Sequence, residues 1–294
     1  MKKHINGRTK ILGIIGDPIE HSFSPYIHNT LCNQLDLNYS YVPFKVSSEN
    51  LHDAVKGLKA VGIVGFNVTI PHKKNIIRYL DNVSKEALLM GAVNTVKNVE
   101  GRLYGYNTDG EGFIRSLYEE GVYVKGKNII ILGAGGAARG VGIKMALEGA
   151  ESIVILNRTV ERAYEISSII NDNIRGVSKH DVLNREILLH YGQSCDILIN
   201  TTPLGMYPDV DSCPVDDMDF LHSGIVVCDL IYNPFKTIFL KKAEEKGCKV
   251  INGLGMLLFQ GINSFQIWTG VKVSTDAHKY LQKIILDEGI FNTL

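Results

Sequence analysis

Short apolar runs rich in β-branched residues alternate along this chain with longer segments whose apolar residues recur at helical spacing, and that alternation predicts an α/β protein with mostly parallel sheets. Ile11 to Ile15 is the first buried-strand pattern, and it runs into the turn cluster Gly16-Asp17-Pro18. Tyr26, Ile27, Leu31 and Leu35 then form the stripe of a helix that Pro25 opens and Ser24 is suited to cap. Tyr39 to Val46 reads as a second strand, Ser48 to Leu58 as a helix and Gly62 to Val68 as a third strand. Pro71 is expected to open the next helix, which would put Lys73 in its first turn. After a short helix from Ser84 to Met90, Val96 to Tyr106 reads as a hairpin turning at Glu100-Gly101. Gly112 to Gly121 is a helix that Asp109 could cap.

The second half opens on Asn128 to Leu132 (NIIIL), too short for a helix and suited to a strand buried on both faces. Gly133-Ala134-Gly135-Gly136-Ala137-Ala138 follows at once and fits G-x-G-x-x-A: a tight turn, a close backbone approach for a pyrophosphate, and a small residue where helix meets strand. Arg139 to Glu148 reads as that helix and Ser152 to Leu156 as the next strand, with further strands at Cys195 to Asn200, Ile225 to Leu230 and Cys248 to Ile251. Leu254 to Thr269 is an apolar helix in which Gln260 stands out, either as a ligand or as a buried, satisfied amide. A last helix, Asp276 to Glu288, packs through Leu281, Ile284 and Ile285. These two helices have no nucleotide sheet left to extend, so they are expected to return to the first domain. The expected division is therefore 1–108 with 252–294 for one α/β domain, and 109–251 for a Rossmann-type dinucleotide domain.

The end of the strand Ser152 to Leu156 sorts the cofactor. An NAD site usually places an acidic residue there for the ribose 2′-hydroxyl, whereas this chain has Asn157-Arg158-Thr159. A carboxylate would repel a 2′-phosphate and a guanidinium can grip it, so NADP is the expected cofactor; a solvated surface arginine is the alternative for Arg158. In the first half, Ser22 and Ser24 project from one loop at a strand's carboxyl end, a good place to bind a small carboxylate. Lys73 would feel the dipole of its helix, which disfavours the ammonium form. An ordinary surface lysine is the bland reading, and the neighbouring Asn67 and Thr69 weigh against it.

Composition narrows the field further. The 294 residues suffice for two cores, and 31 basic against 31 acidic residues leave no net field favouring nucleic acid or an anionic membrane. No apolar run approaches the roughly 18 residues of a membrane span, and the basic amino terminus MKKHINGRTK has no apolar run behind it. Cys32, Cys195, Cys213, Cys228 and Cys248 are scattered, with no C-x-x-C pair, and no His or Cys cluster has metal-ligand spacing, so reduced thiols, no metal and a cytoplasmic enzyme are expected. A homodimer is one assembly left open.

GDPIEHSFSPYIHN, NVTIPHK, GAVNT, NTDG, GAGGAAR, NRT, NTTPLGM, DLIYNPFKT and GMLLFQG stand in an order and spacing that resemble those of the shikimate dehydrogenases over nearly the whole chain. The resemblance implies an oxidoreductase of aromatic amino-acid (chorismate) biosynthesis that reversibly reduces the C3 ketone of 3-dehydroshikimate with NADPH. It implies that Ser22, Ser24 and Tyr232 hold the substrate carboxylate, that Thr69, Asn94 and Gln260 hold ring hydroxyls, and that Lys73 and Asp109 form the catalytic pair. It puts Gly133, Ala134, Gly135, Gly136, Ala137, Asn157, Arg158, Thr159, Arg162, Leu230 and Gly253 at cofactor positions. One departure is Gly261, where alanine is common after the glutamine; glycine there weakens the helix by roughly 1 kcal/mol. Two rivals stay open: a quinate/shikimate dehydrogenase that also accepts NAD, and a non-catalytic NADP-sensing protein.

Overall fold

The structure is a computed structural model that describes residues 5–287. The first four residues of the basic amino terminus and Glu288 lie outside the described residues. The chain forms two compact units, Met1–Thr108 with Gln260–Leu294, and Asp109–Phe259.

The first unit begins with β1 (Lys10–Gly16), α1 (Ser24–Gln34), β2 (Tyr39–Lys45), α2 (Leu51–Ala60) and β3 (Gly65–Val68). A 3-10 turn at Asn75–Tyr79, β4 (Asn82–Val83), α3 (Lys85–Met90), β5 (Thr95–Val99) and β6 (Arg102–Tyr106) follow. The sheet order is β2-β1-β3-β5-β6-β4, with β1 parallel to both β2 and β3, and β5 antiparallel to β3 and β6. The unbroken apolar run of β1 is explained by burial on both faces: Ile15 packs with Val55, Phe66 and Val96 on one, Leu12 and Ile14 with Tyr41 and Trp268 on the other. The hairpin turns where Glu100 and Gly101 take φ of 51° and 80°, a geometry whose twist matches the strands it joins.

Two local expectations change. Ser24 is the first residue of α1 and not its cap, since Phe23 occupies that position and no side chain caps the helix. Pro71 does not open a helix: His72 N–H closes a turn on Thr69 O at 2.8 Å, and His72 Nε2 donates to Val46 O at 2.6 Å. The segment is committed to that turn before the 3-10 turn starts, so Lys73 stands outside any helix terminus and the dipole argument for it has no helix to rest on.

The second unit runs α4 (Asp109–Glu119), β7 (Asn128–Leu132), α5 (Gly136–Leu147), β8 (Ser152–Asn157), α6 (Val160–Asn173), β9 (Ser178–Val182), α7 (Arg185–Gly192), β10 (Ile197–Asn200), β11 (Val226–Asp229), α8 (Ile238–Glu245) and β12 (Lys249–Ile251). Its sheet is wholly parallel in the order β12-β11-β10-β7-β8-β9, the doubly wound arrangement whose switch point lies between β7 and β10. At the outer edge, the Asn171 amide donates to Ser178 O and accepts from Ser178 N–H, both at 2.9 Å, taking the place of a further strand. The division between units falls within α9 (Leu254–Thr269), and α10 (Thr275–Asp287) closes the described chain. In the first unit α9 lies close on the sheet because Gly65 has no side chain: a Cβ there would sit 2.2 Å from the Trp268 ring, whose Nε1 donates to Val96 O at 2.8 Å.

Candidate active site

Parallel strands deliver their following loops to one end of a sheet, and an antiparallel neighbour starts at that same end. Ser22 and Ser24 follow β1, Thr69 and Lys73 follow β3, Asn94 immediately precedes β5, and Thr108 follows β6. Backbone bonds tie these segments together: Thr69 N–H donates to Ile15 O at 3.0 Å, Val68 N–H to Asn94 O at 2.9 Å and Val93 N–H to Lys73 O at 2.8 Å. Ser22 Oγ accepts from Ser24 N–H at 3.3 Å. Lys45, at the end of β2, steadies this loop through Glu20 at 3.1 Å and Asp17 at 3.7 Å. Backbone hydrogen bonds first, then Lys45, hold the Glu20 carboxyl down at about 2.

Hydrogen-bond partners fix which way each amide points. The Thr108 N–H can only donate, and it meets Asn94 Oδ1 at 2.9 Å, where Thr95 Oγ1 also donates at 2.8 Å. Asn94 Nδ2 donates to Thr108 Oγ1 at 2.9 Å, so Thr108 fixes the orientation of the amide through both of its ends. Asn67 Nδ2 donates to Asn94 O at 2.9 Å while its Oδ1 accepts from Tyr41 at 2.7 Å. Ser264, one turn beyond Gln260 in α9, donates to Gln260 O at 2.9 Å and lies 2.7 Å from Thr95 Oγ1 and 3.2 Å from Thr108 Oγ1. That cluster fastens the Gln260 turn to the sheet end. Asn67, Thr108 and Ser264 join the site only through the fold; for Ser264 the sequence carries one signal, its spacing of four from Gln260, one face of a helix.

Among the remaining expected residues, Asp109 directly follows Thr108 as the first residue of α4, and Tyr232 follows β11 in the second unit, its phenol pKa raised by burial. The structure thus brings Ser22, Ser24, Thr69, Lys73 and Asn94 to one end of the first sheet and holds Gln260 in the same unit.

The second unit fits a dinucleotide. Gly133 has φ of +99°, and a Cβ there would lie 2.9 Å from both Thr201 Oγ1 and Thr202 Cγ2, so the turn after β7 accepts only glycine. At Gly135 and Gly136 an added Cβ meets nothing within 4 Å, which leaves open the approach to the N-terminus of α5 that a pyrophosphate requires. Ala134 and Ala137 complete that turn. Arg158, Thr159 and Arg162 are exposed, and Asn157 Nδ2 donates to Thr159 O at 2.8 Å, shaping the loop after β8. The loop carries no carboxylate, in keeping with a 2′-phosphate. Leu230 N–H donates to Asn200 O at 3.1 Å and Gly253 N–H to Ile231 O at 3.0 Å, so both stand at carboxyl ends of strands.

Among the described residues no group of three or more His, Cys, Asp or Glu is arranged to hold a metal ion, and no helix is long and apolar enough to cross a membrane. All five cysteines are free thiols, and burial pushes Cys195 up to about 12.

Family models match three stretches: a shikimate dehydrogenase substrate binding domain at residues 14–96, a shikimate / quinate 5-dehydrogenase domain at 117–203, and a shikimate 5′-dehydrogenase C-terminal domain at 253–277. A shikimate dehydrogenase (NADP(+)) of Alkaliphilus oremlandii is 47% identical over 282 residues, covering 96% of this chain and 98% of its own. A shikimate 5-dehydrogenase from Listeria monocytogenes, solved in complex with shikimate and NAD, superimposes with a TM-score of 0.93 at 38% identity, covering 97% of this chain and 99% of its own. A shikimate dehydrogenase solved in complex with NADP+ gives 0.89 at 47% identity and covers 97% of both chains.

Proposed function

The chain belongs to the shikimate dehydrogenase family, and on that premise we propose that it catalyses the reversible, NADP-dependent reduction of the C3 ketone of 3-dehydroshikimate to shikimate. The observation that carries this reading is the set of hydroxyls, amide and ammonium gathered at one end of the first sheet, chemistry matched to a small polyhydroxylated acid.

Ser22, Ser24 and Tyr232 donate hydrogen bonds to the substrate carboxylate. Thr69, Asn94 and Gln260 hold the ring hydroxyls, and Thr108 fixes the orientation of the Asn94 amide. Gly133 to Ala137 receive the pyrophosphate, Arg158 with Asn157, Thr159 and Arg162 the 2′-phosphoribose end, and Leu230 and Gly253 the remainder of the cofactor. NADPH, when bound, supplies the hydride that the ketone carbon accepts. Lys73 meets the ketone oxygen with a hydrogen bond as negative charge develops there and then gives it a proton; in the oxidative direction it takes that proton back. Asp109 orients Lys73 and the neighbouring hydroxyl. The free thiols support a reducing compartment, so we place the enzyme in the cytoplasm. Whether it works as a homodimer is read from sedimentation velocity.

The test is a spectrophotometric assay of shikimate and quinate, each with NADP and with NAD. Shikimate with NADP is expected to exceed every other pairing by at least about tenfold in kcat/KM. Comparable turnover of quinate with NAD would make this a broader quinate/shikimate dehydrogenase, and no turnover of any pairing would leave a binding protein.

A further inference from the structure

Two strand ends carry residues with no part in the chemistry above: Asn200, the last residue of β10, with Thr202 beyond it, and Asp229, the last residue of β11, with Thr237 beyond it. The structure joins them. Asp229 is fully buried, and its Oδ1 accepts from Asn200 Nδ2 and from Ile231 N–H, both at 3.1 Å, while Oδ2 accepts from Thr237 Oγ1 at 2.7 Å. No cation stands among these partners. Asn200 is also fully buried and cannot turn its amide round, because its Oδ1 holds the Thr202 N–H at 2.9 Å and Thr202 Oγ1 at 2.7 Å. Thr237 Oγ1 accepts from Leu240 N–H at 3.3 Å as the cap of α8, which leaves its own proton for Asp229. Every group facing the carboxylate is therefore a donor.

The backbone leading to Tyr232 is fixed by the same arrangement. Leu230 N–H is held by Asn200 O at 3.1 Å, Ile231 N–H by Asp229 at 3.1 Å, and Ile231 O by Gly253 N–H at 3.0 Å. Tyr232 is the next residue. We propose that Asp229 is a positioning residue for substrate binding: as an ionised acceptor it locks the loops after β10 and β11 together and so aims Tyr232. The inference rests on the reading of Tyr232 as a ligand of the substrate carboxylate.

Burial raises the Asp229 pKa to about 6, against the pull of its hydrogen bonds. The titratable groups that face it, Cys228 on β11 and Cys213, are thiols with pKa values raised by burial, and Lys242 on α8 faces Cys213. None of them offers Asp229 a compensating ion pair.

The experiment compares Asp229→Asn, Tyr232→Phe and the double variant by KM for shikimate and for NADP. Asparagine keeps the shape and loses the charge that strengthens the bonds to Ile231 and Asn200. Asp229→Asn is expected to raise KM for shikimate about fivefold or more and to change KM for NADP much less. The double variant should bind shikimate no more weakly than the worse single variant. An unchanged KM for shikimate in Asp229→Asn or multiplied losses in the double variant would each overturn the proposal. An unchanged KM in Tyr232→Phe would instead withdraw the ligand reading of Tyr232, and this inference with it.

Discussion

Arg158 stands exposed beyond β8 with no carboxylate beside it in the loop, so its guanidinium is available to a 2′-phosphate. A hydrogen bond to a charged group contributes roughly 1.5 to 3 kcal/mol, so Arg158→Ala is expected to raise KM for NADP about ten- to a hundredfold and leave NAD kinetics nearly unchanged. Equal losses with both cofactors would assign the arginine to the fold instead. Lys73 and Asp109 make a separate prediction at the same scale. If they serve one proton transfer, each alanine variant lowers kcat by at least about a hundredfold, and the double variant loses little more. A Lys73→Ala enzyme with a defect only in KM would make Lys73 a binding residue. His28 bears on acid stability. It is fully buried, stacked on Tyr41 at 4.3 Å between ring centroids, and burial lowers its pKa to about 3 from an ordinary 6.5. A depressed histidine contributes stability that is complete above pH 6.5 and is lost as pH falls toward 3, on the order of 5 kcal/mol at the acid limit. His28→Phe should therefore lose less stability than the parent between pH 6 and pH 4 in urea titrations; parallel curves would count against this.

Elements were legible wherever one physical signal dominated. The apolar runs of β1 and β7 announce strands covered on both faces, and Glu100-Gly101 announces a hairpin because few residue pairs tolerate two positive φ angles. Edge strand β9, Ser178–Val182 (SKHDV), gave no such signal, because a strand with one neighbour and a solvated side needs no apolar run. The candidate residues were legible one by one at the strand ends. Its supporting shell was not: Asn67, Thr108, Ser264 and Asp229 act through partners distant in sequence, which no local pattern encodes. Gly261 gains an explanation from packing, since a Cβ there would come 3.3 Å from Ile27 Cγ2 of α1. Edge strand β9 also carries a prediction. The Asn171 amide occupies the position a pairing strand would take, so Asn171→Ala uncovers Ser178 N–H and C=O, and light scattering should show concentration-dependent self-association. Scattering like that of the parent protein would mean that the edge is protected by other means.

At the scale of the whole molecule, each unit has its own sheet and its own core, and each gathers its candidate site residues at the carboxyl ends of parallel strands. The first unit presents hydroxyls and amides suited to a polyhydroxylated acid, and the second a glycine turn and an arginine suited to a phosphorylated dinucleotide, the division of labour expected of a shikimate dehydrogenase. Trp268, packed into the space left by Gly65, is the only tryptophan in the chain, and it belongs to the first unit. Indole fluorescence is therefore a native, label-free reporter of that unit alone, whereas far-ultraviolet circular dichroism follows both. If the units melt separately, the two signals will give different midpoints in a denaturant series. Shikimate should then delay the red shift of the emission, and NADP only the part of the ellipticity change that the emission does not follow. Equal delays of both signals by either ligand would show one cooperative transition.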